Sequence, residues 1–354
     1  MKLKDFATIN MGQSPKGETY NTDGNGMPFL QGRKTFGRIY PTIDTWTTNP
    51  IKIANKDEIL MSVRAPVGDM NFANKEICIG RGLCSISAKN GKNKYLYYML
   101  LNSMNDLKRK STGTVFDSIN RKDLENLEIN LHFEEEQEKI ENILGSLDDK
   151  IELNNEINDN LYEEAVALYK DKFKGIGQGK KTIGDYIVPK RGKNLLTRDA
   201  IDGDTPVVAG GIAPSVYHNQ FNTKSPVITI SASGANAGYT NLWNIPVWAS
   251  DCSYIDDSIT KNVYFWYIVL KTRQNEIFDA QTGSAQPHIY PQHIAEMSIG
   301  ELSIAEVEKY NNLVAPLFKM IGENQKENKK LSQLRDTLLP KLMDGEIDLD
   351  NIEI

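Results

Sequence analysis

Two stretches decide how this chain is built: Glu134–Phe173, EEEQEKIENILGSLDDKIELNNEINDNLYEEAVALYKDKF, and Ile304–Met343, IAEVEKYNNLVAPLFKMIGENQKENKKLSQLRDTLLPKLM. In the first, Ile140, Leu147, Leu161 and Leu168 fall at multiples of seven, with Leu144, Ile151 and Ala165 at intervening positions. The second repeats the pattern with Tyr310, Leu317, Leu331 and Leu338, and with Val314 and Ile321 between them. A sustained seven-residue apolar period specifies an amphipathic helix whose stripe packs on another helix. Both stripes are interrupted at matching places, by Asn154 and Asn158 in one and Asn324 and Asn328 in the other. Either these asparagines are buried against each other and fix the register, or they lie on a hydrated edge. Two such helices, each following a domain, pair antiparallel so that the chain can return. At 1.5 Å per residue, about 37 residues make a rod on the order of 55 Å long.

Outward from the helices the chain repeats itself at an offset of 170 residues. Thr112-Gly113 recurs as Thr282-Gly283, Ile119 as Ile289, Ala65 and Gly68 as Ala235 and Gly238, and Glu138-Lys139 as Glu308-Lys309. Leu147, Ile151, Asn154, Asn158, Leu161 and Leu168 likewise match Leu317, Ile321, Asn324, Asn328, Leu331 and Leu338. A small shift separates Cys84-Ser85 from Cys252-Ser253, and Pro28 and Gly32 align with Pro206 and Gly210 at a longer offset. Such self-similarity marks a tandem duplication of globular unit plus helix. Within each unit, short apolar runs bounded by Gly, Asn, Asp and Pro read as strands: Ile59–Val63, Ile77–Ile79, Leu83–Ile86, Val227–Ile230 and Pro246–Ala249. One helix follows in each, YLYYMLLNSMNDLKRK (Tyr95–Lys110) and VYFWYIVLKTRQNEIF (Val263–Phe278), its aromatic stripe expected in the core. The fold class is therefore α+β: two mostly-β domains separated by an antiparallel pair of long α-helices forming a coiled coil, with a pseudo-two-fold internal repeat. The expected divisions are 1–133, 134–173, 174–303 and 304–354. Gly68, Gly238, Gly113 and Gly283 recur at matching turns, where a positive φ is expected.

The 354 residues carry a net charge of −6, with 41 Lys+Arg against 47 Asp+Glu. The distribution matters more than the total. Residues 1–133 are +6, 134–173 are −9, 174–303 are neutral and 304–354 are −3, so the acid sits on the helices. No run of 18 apolar residues and no signal-peptide core is present, which predicts a cytoplasmic chain with no membrane partner. Cys78, Cys84 and Cys252 lack paired spacing and read as buried reduced thiols; His132, His218, His288 and His293 form no zinc pattern with them. No metal is expected. Catalytic residues are expected to be none: Asn244-Ile245-Pro246-Val247 is only superficially like an adenine-methylation motif. In GQGKKT (Gly177–Thr182), Lys174 stands where a phosphate loop has its first glycine and Lys181 where it has Ser or Thr, so the stretch reads as a flexible linker.

Two related heads on a rod of about 55 Å, roughly sixteen base pairs at 3.4 Å each, suit the reading of two short DNA segments across an unread gap. Base readout in the major groove needs Arg, Lys, Asn or Gln, supplemented by Ser and Thr, and phosphate positioning needs Lys and Arg. Loops of the first unit offer Gln31, Arg33, Lys34, Thr35, Arg38, Arg64, Arg81, Thr114, Ser118 and Arg121. Those of the second offer Arg191, Lys193, Ser233, Asn236, Ser284, Gln286, His288 and Tyr290.

QSPKG (Gln13–Gly17), PFLQG (Pro28–Gly32), ILMSVRAPVGD (Ile59–Asp69), GTVFDSINRKDL (Gly113–Leu124), EEEQEKIENILGSLDDKIELNN (Glu134–Asn155) and LRDTLLPKLMDGEI (Leu334–Ile347) resemble the type I restriction–modification specificity (S) subunit over essentially the whole chain. The resemblance implies that 1–133 and 174–303 are target-recognition domains docking the two halves of a bipartite, asymmetric site on double-stranded DNA. It implies spacer helices that seat two methyltransferase (modification) subunits, with restriction subunits joining to make the nuclease. The chain itself would carry no cofactor; S-adenosylmethionine would belong to the methyltransferase partner. Glu134, Glu135 and Glu136 are the expected partner-binding residues. Two other readings stand beside this one: a coiled-coil scaffold whose β-rich domains bind protein or carbohydrate, and a specificity-like subunit of another phage-defence methylation system.

Overall fold

The computed structural model describes residues 1–110, 118–283 and 286–349. The chain divides into two compact units, unit 1 being Met1–Glu152 with Lys329–Ile354, and unit 2 being Leu153–Asn328.

Unit 1 contains, in chain order, α1 (Leu3–Phe6), β1 (Ala7–Met11), β2 (Tyr20–Asn21), β3 (Met27–Leu30), β4 (Trp46–Thr47), β5 (Ile53–Ala54), β6 (Ile59–Ser62), β7 (Met70–Phe72), β8 (Ile77–Ile79), β9 (Leu83–Ala88), α2 (Asn93–Lys110), α3 (Arg121–Glu125) and the first half of α4 (Glu134–Lys172). Its antiparallel sheet has the order β1-β9-β6-β7, and a second sheet the order β2-β4-β3-β8-β5, with β3 and β8 parallel. Strand side chains alternate between faces, and β6 uses both. Ile59 and Met61 enter the larger core beneath helix α2, whereas Leu60 enters a smaller core with Leu30, Ile77, Ile79 and Leu83. This is why its sequence is continuously apolar rather than alternating.

Unit 2 repeats the plan with β10 (Lys181–Thr182), β11 (Lys190–Arg191), β12 (Thr205–Val208), β13 (Val216–His218), β14 (Val227–Ser231), β15 (Thr240–Trp243), β16 (Trp248–Ala249), β17 (Cys252–Asp256), α5 (Val263–Thr272), α6 (Gln274–Asp279), α7 (Pro291–Ala295), β18 (Ser298–Ile299) and most of α8 (Ile304–Met343). The antiparallel sheet β11-β17-β14-β15 corresponds to β1-β9-β6-β7, and the parallel pair β12–β16 to β3–β8. The offset of 170 falls on helix starts: Asn93 and Val263, Arg121 and Pro291, Glu134 and Ile304. Gly68 and Gly238 take φ of +88° and +87°, the positive-φ turn expected of them.

The aromatic stripes are core: Tyr95, Leu96, Met99 and Leu100 of α2, and Val263, Phe265, Trp266 and Ile268 of α5, are buried. Two expectations need correction. The single helix Val263–Phe278 is two, broken at Arg273. There Thr272 turns its hydroxyl back onto the Ile268 carbonyl (2.7 Å) and Arg273 binds Glu276 at 2.8 and 2.6 Å. The stretch Gly177–Thr182 is not a loose linker: Lys181 and Thr182 form β10, paired antiparallel with β18. Gly300 donates to the Ile176 carbonyl (2.7 Å), and a Cβ on Gly179 would meet the Ile299 carbonyl oxygen at 2.4 Å.

Within each unit the long helices run antiparallel, as their contacts show. In unit 2 the Tyr310 hydroxyl donates to Ala165 O (2.7 Å) and Asn324 to Asn158 (2.9 Å), while Asn154 donates to both Asn328 (2.8 Å) and Glu327 (2.7 Å). In unit 1 Arg335 binds Asp148 (2.6 Å) and Lys139 reaches the Leu349 carbonyl (3.1 Å). Partner numbers fall as helix numbers rise. Asn154 is 1% exposed, so the hydrated-edge reading fails there and the buried polar pair holds. The half-helices also close the domain cores: Ile140, Leu144, Leu339 and Leu342 belong to that of unit 1, and Ala165, Tyr169, Tyr310 and Val314 to that of unit 2.

Ser85 of β9 and Ser253 of β17 are buried with hydroxyls that find no partner among the described residues. An unpaired buried hydroxyl costs on the order of 1–3 kcal/mol. Ser85→Ala and Ser253→Ala are therefore expected to leave stability unchanged or to raise it by about 1 kcal/mol; urea midpoints lowered by both changes would contradict this.

Candidate nucleic-acid interface

The candidate side chains of each unit gather on a set of loops held by one backbone hydrogen-bond scheme, present twice. After β6, Val63 donates to Gly82 O (2.9 Å) and accepts from Ile119 N (3.0 Å); after β14, Ala232 donates to Asp251 O (3.1 Å) and accepts from Ile289 N (2.9 Å). Gly68 donates to Ser62 O (3.0 Å) as Gly238 does to Ser231 O (2.7 Å), and Gly80 to Leu30 O as Ser250 to Val208 O, both at 2.8 Å. Gly12 and Gln13 donate to the carbonyls of Leu83 and Ile79, both at 2.9 Å, as Gly192 and Lys193 do to those of Cys252 (2.8 Å) and Ala249 (2.9 Å). Both glycines are required by crowding: a Cβ on Gly12 would lie 2.2 Å from Gly80 O and one on Gly192 2.4 Å from Ser250 O.

Three positions of this frame carry different side chains in the two units. The residue leaving the sheet is Arg64 or Ser233, bridged to Ser118 or His288 respectively. The turn between β8 and β9 is Gly80-Arg81-Gly82, whereas that between β16 and β17 is Ser250-Asp251. In unit 1, Arg64 and Arg81 are exposed and have no carboxylate at ion-pair distance among the described residues. The Arg81 amide is fixed by Ser14 Oγ (3.2 Å), and that hydroxyl donates to Gln31 (2.9 Å). Arg33 pairs with Asp69, both side chains about two-fifths exposed. These two residues rim a cleft of about 780 Å³ with Lys34, Phe36, Pro66 and Tyr97. Thr35 ends the short turn begun by Arg33, and Arg38 follows, exposed. Arg121 opens α3 and is held by Glu125 (2.7 Å). In unit 2, Asp251 is held through one oxygen by Arg191 (2.5 Å) and through the other by the Ser233 hydroxyl. Thr282 and His288 exchange backbone hydrogen bonds (3.0 and 2.8 Å), and His288 stacks on Tyr290 at 6.0 Å. Asn236 lies in the Gly234–Gly238 turn and Gln286 is exposed at the edge of the same loops. Thr114 and Ser284 lie outside the described residues.

The sequence reading missed Asp69 and Asp251, because acids were not sought among groove readers. The signal was there: Asp251 occupies the turn where the two repeats change length. Cys84 and Cys252 are buried, and desolvation pushes both thiols up to about 12, so neither is reactive. No group of three His, Cys, Asp or Glu side chains among the described residues could hold a metal ion. No helix among them is long and apolar enough to cross a membrane.

Residues 1–163 match the family model of the type I restriction modification DNA specificity domain. Over 404 aligned residues, 99% of this chain and 94% of the relative, the chain is 26% identical to the type I restriction enzyme MjaIX specificity subunit of Methanocaldococcus jannaschii. The chain is similar to type I restriction–modification specificity subunits, its first 163 residues through the specificity-domain model and nearly its whole length through the MjaIX relative. A second relative from that organism, assigned as the MjaX specificity subunit, is 43% identical over 150 residues, 42% of this chain but little more than a third (35%) of its own length. The crystal structure of the type I S subunit of Mycoplasma genitalium shares the fold, with a TM-score of 0.57, 21% identity and coverage of 97% of this chain and 95% of that one.

Proposed function

We propose that this specificity subunit reads a bipartite, asymmetric target on double-stranded DNA, 1–133 and 174–303 each acting as the recognition domain for one block. What carries the reading is the doubled loop scheme: one backbone frame presents Arg64, Arg81 and Ser118 in one unit and Ser233, Asp251 and His288 in the other. Identical frames dock alike on a duplex, while different side chains select different bases. The candidate readers among the described residues are exposed or half-exposed on both units, and the net acidic charge falls in 134–173 and 304–354 rather than in 1–133 and 174–303. The chain acts without a cofactor or catalytic residue of its own. Two methyltransferase subunits seat on the spacer helices and supply S-adenosylmethionine chemistry, restriction subunits join them, and the assembly works in the cytoplasm. The test is selection from randomised duplexes by the full chain assembled with its methyltransferase subunits. Two separated sequence blocks and binding that falls steeply with salt are expected; a single block, or salt-insensitive binding, would contradict the proposal.

The acidic start of α4 is assigned to the partner. Glu134 and Glu135 are exposed, whereas Glu136 accepts from the Phe133 amide (2.8 Å) and caps the helix. Glu134→Lys with Glu135→Lys, which spares the cap, is expected to reduce methyltransferase co-purification several-fold while leaving the thermal midpoint within a few degrees. Undiminished co-purification would remove these residues from the interface.

A further inference from the structure

Asp251 is a base-reading residue of unit 2, and we infer that it selects an amino-bearing base, cytosine through N4, at one position of one half-site. This rests on the proposed reading of the chain as a DNA-specificity subunit and adds to it a named determinant and a base. The turn that holds Asp251 takes the place of the turn that holds Arg81, since both follow the strand paired in parallel with β12 or β3; within it Asp251 stands where Gly82 follows Arg81, its carbonyl accepting the Ala232 amide as that of Gly82 accepts the Val63 amide. One frame thus presents a guanidinium in unit 1 and a carboxylate in unit 2.

The carboxylate is built for recognition rather than for stability. Its side chain is 31% exposed and that of Arg191 43%, and an ion pair so open to water contributes only about 0–1 kcal/mol to folding. Oδ1 accepts from Arg191 and Oδ2 from Ser233, which fixes the plane of the group. Each carboxylate oxygen has two lone pairs, so each keeps one free for a donor on a base edge. In the major groove a carboxylate accepts from cytosine N4, whereas guanine and thymine present the acceptors O6 and O4 and would be repelled. Arg81 has the opposite preference: its fork fits guanine O6 and N7, and no carboxylate among the described residues competes for it. The same turn, one residue shorter in unit 2, therefore reads opposite members of a G·C pair in the two units. Ser233 and Arg191, already among the candidates, act here as positioning residues for Asp251.

Full-length wild type, Asp251→Asn and Arg81→Gln, each assembled with methyltransferase subunits, are taken through selection on randomised duplexes. Asp251→Asn, which adds an amide donor in nearly the same volume, is expected to lower the preference for cytosine at one position by about tenfold or more and to raise adenine there. Arg81→Gln is expected to alter the other block and leave that position unchanged. If Asp251→Asn fails to fold, Ser233→Ala serves in its place: freeing one carboxylate oxygen weakens selection at the same position without removing the acceptor. A wild-type consensus that both variants of this cluster leave intact overturns the assignment alone, as does a change at the block that Arg81→Gln alters. A wild type that selects no two-block consensus overturns the specificity-subunit reading as applied to this chain, and the assignment with it.

Discussion

The double variant Arg64→Gln, Arg81→Gln is expected to bind the selected duplex about a hundredfold or more less tightly than the wild type. Each arginine is exposed on a fixed turn, and a well-placed bidentate contact to a guanine edge contributes roughly 1–3 kcal/mol of discrimination. The two turns are joined by the Val63 amide donating to Gly82 O (2.9 Å), so both side chains rise from one rigid patch. Two losses of that size amount to about 2–6 kcal/mol, with coupling between such neighbours shifting the sum by a fraction of it. Removing a phosphate contact instead would weaken binding to all sequences alike and flatten the salt dependence by about 0.9 per contact. The double variant separates the two roles: base readers relax the preference in one block, phosphate clamps leave the preference and reduce the slope. Because neither side chain supports the core, the folding free energy should move by less than about 0.5 kcal/mol. Fluorescence anisotropy at several salt concentrations, with a thermal melt beside it, measures all of this; unchanged affinity would exclude the patch from the interface.

Phe265→Ala is expected to destabilise unit 2 by about 3–5 kcal/mol, the range for a large aromatic removed from a core that cannot collapse. Phe265 is fully buried on α5, with ring centroids 5.1 Å from Phe173, 5.2 Å from Trp266, 6.0 Å from Tyr310 and 6.2 Å from Tyr169. Those rings come from three helices, α4, α5 and α8 with the residue after α4, so the cavity has walls of three elements and none can move in alone. In unit 1 the positions matching Phe265, Tyr310, Tyr169 and Phe173 are Tyr95, Ile140, Leu339 and Met343, also buried, and another part of that seam is polar: Tyr98 donates to Asp148 (2.7 Å), which also binds Arg335 (2.6 Å). Burial together with the adjacent Asp148 charge pushes the Tyr98 phenol up, so it stays a donor throughout the ordinary pH range. The loss in Phe265→Ala should therefore appear as an early transition of unit 2. Denaturant unfolding followed by hydrogen exchange reports it, and a single transition lowered equally in both units would be the contrary result.

Helices and repeats were legible because they are written locally. A helical hydrogen bond joins residues four apart, so the stripe Ile140–Leu144–Leu147, or the start at Arg121 and again at Pro291, is complete within one short window. The break at Arg273 escaped notice, since a threonine hydroxyl turning back and a half-buried arginine become visible only once neighbours are placed. The loops were legible as a group, because polar side chains between apolar strands have nowhere to go but the surface. Their internal order was not. Arg64, Arg81 and Ser118 are brought together by strand pairing across more than fifty positions of chain, and the sequence carries no mark of which loop meets which.

By itself, then, the order of residues determined a duplicated α+β chain with two long amphipathic helices, an acidic helical charge and arginine-rich loops in the first head. Tertiary structure alone decided that each long helix lends its halves to different domain cores, that Asn154 is buried on Asn328 and Glu327, and that Asp251 stands in the turn that holds Arg81 in the other unit. The difference is physical: periodicity and capping act over one or two turns, whereas parallel pairing of β3 with β8 and of β12 with β16 joins strands about forty or more residues apart, and those pairings set which side chains share a surface.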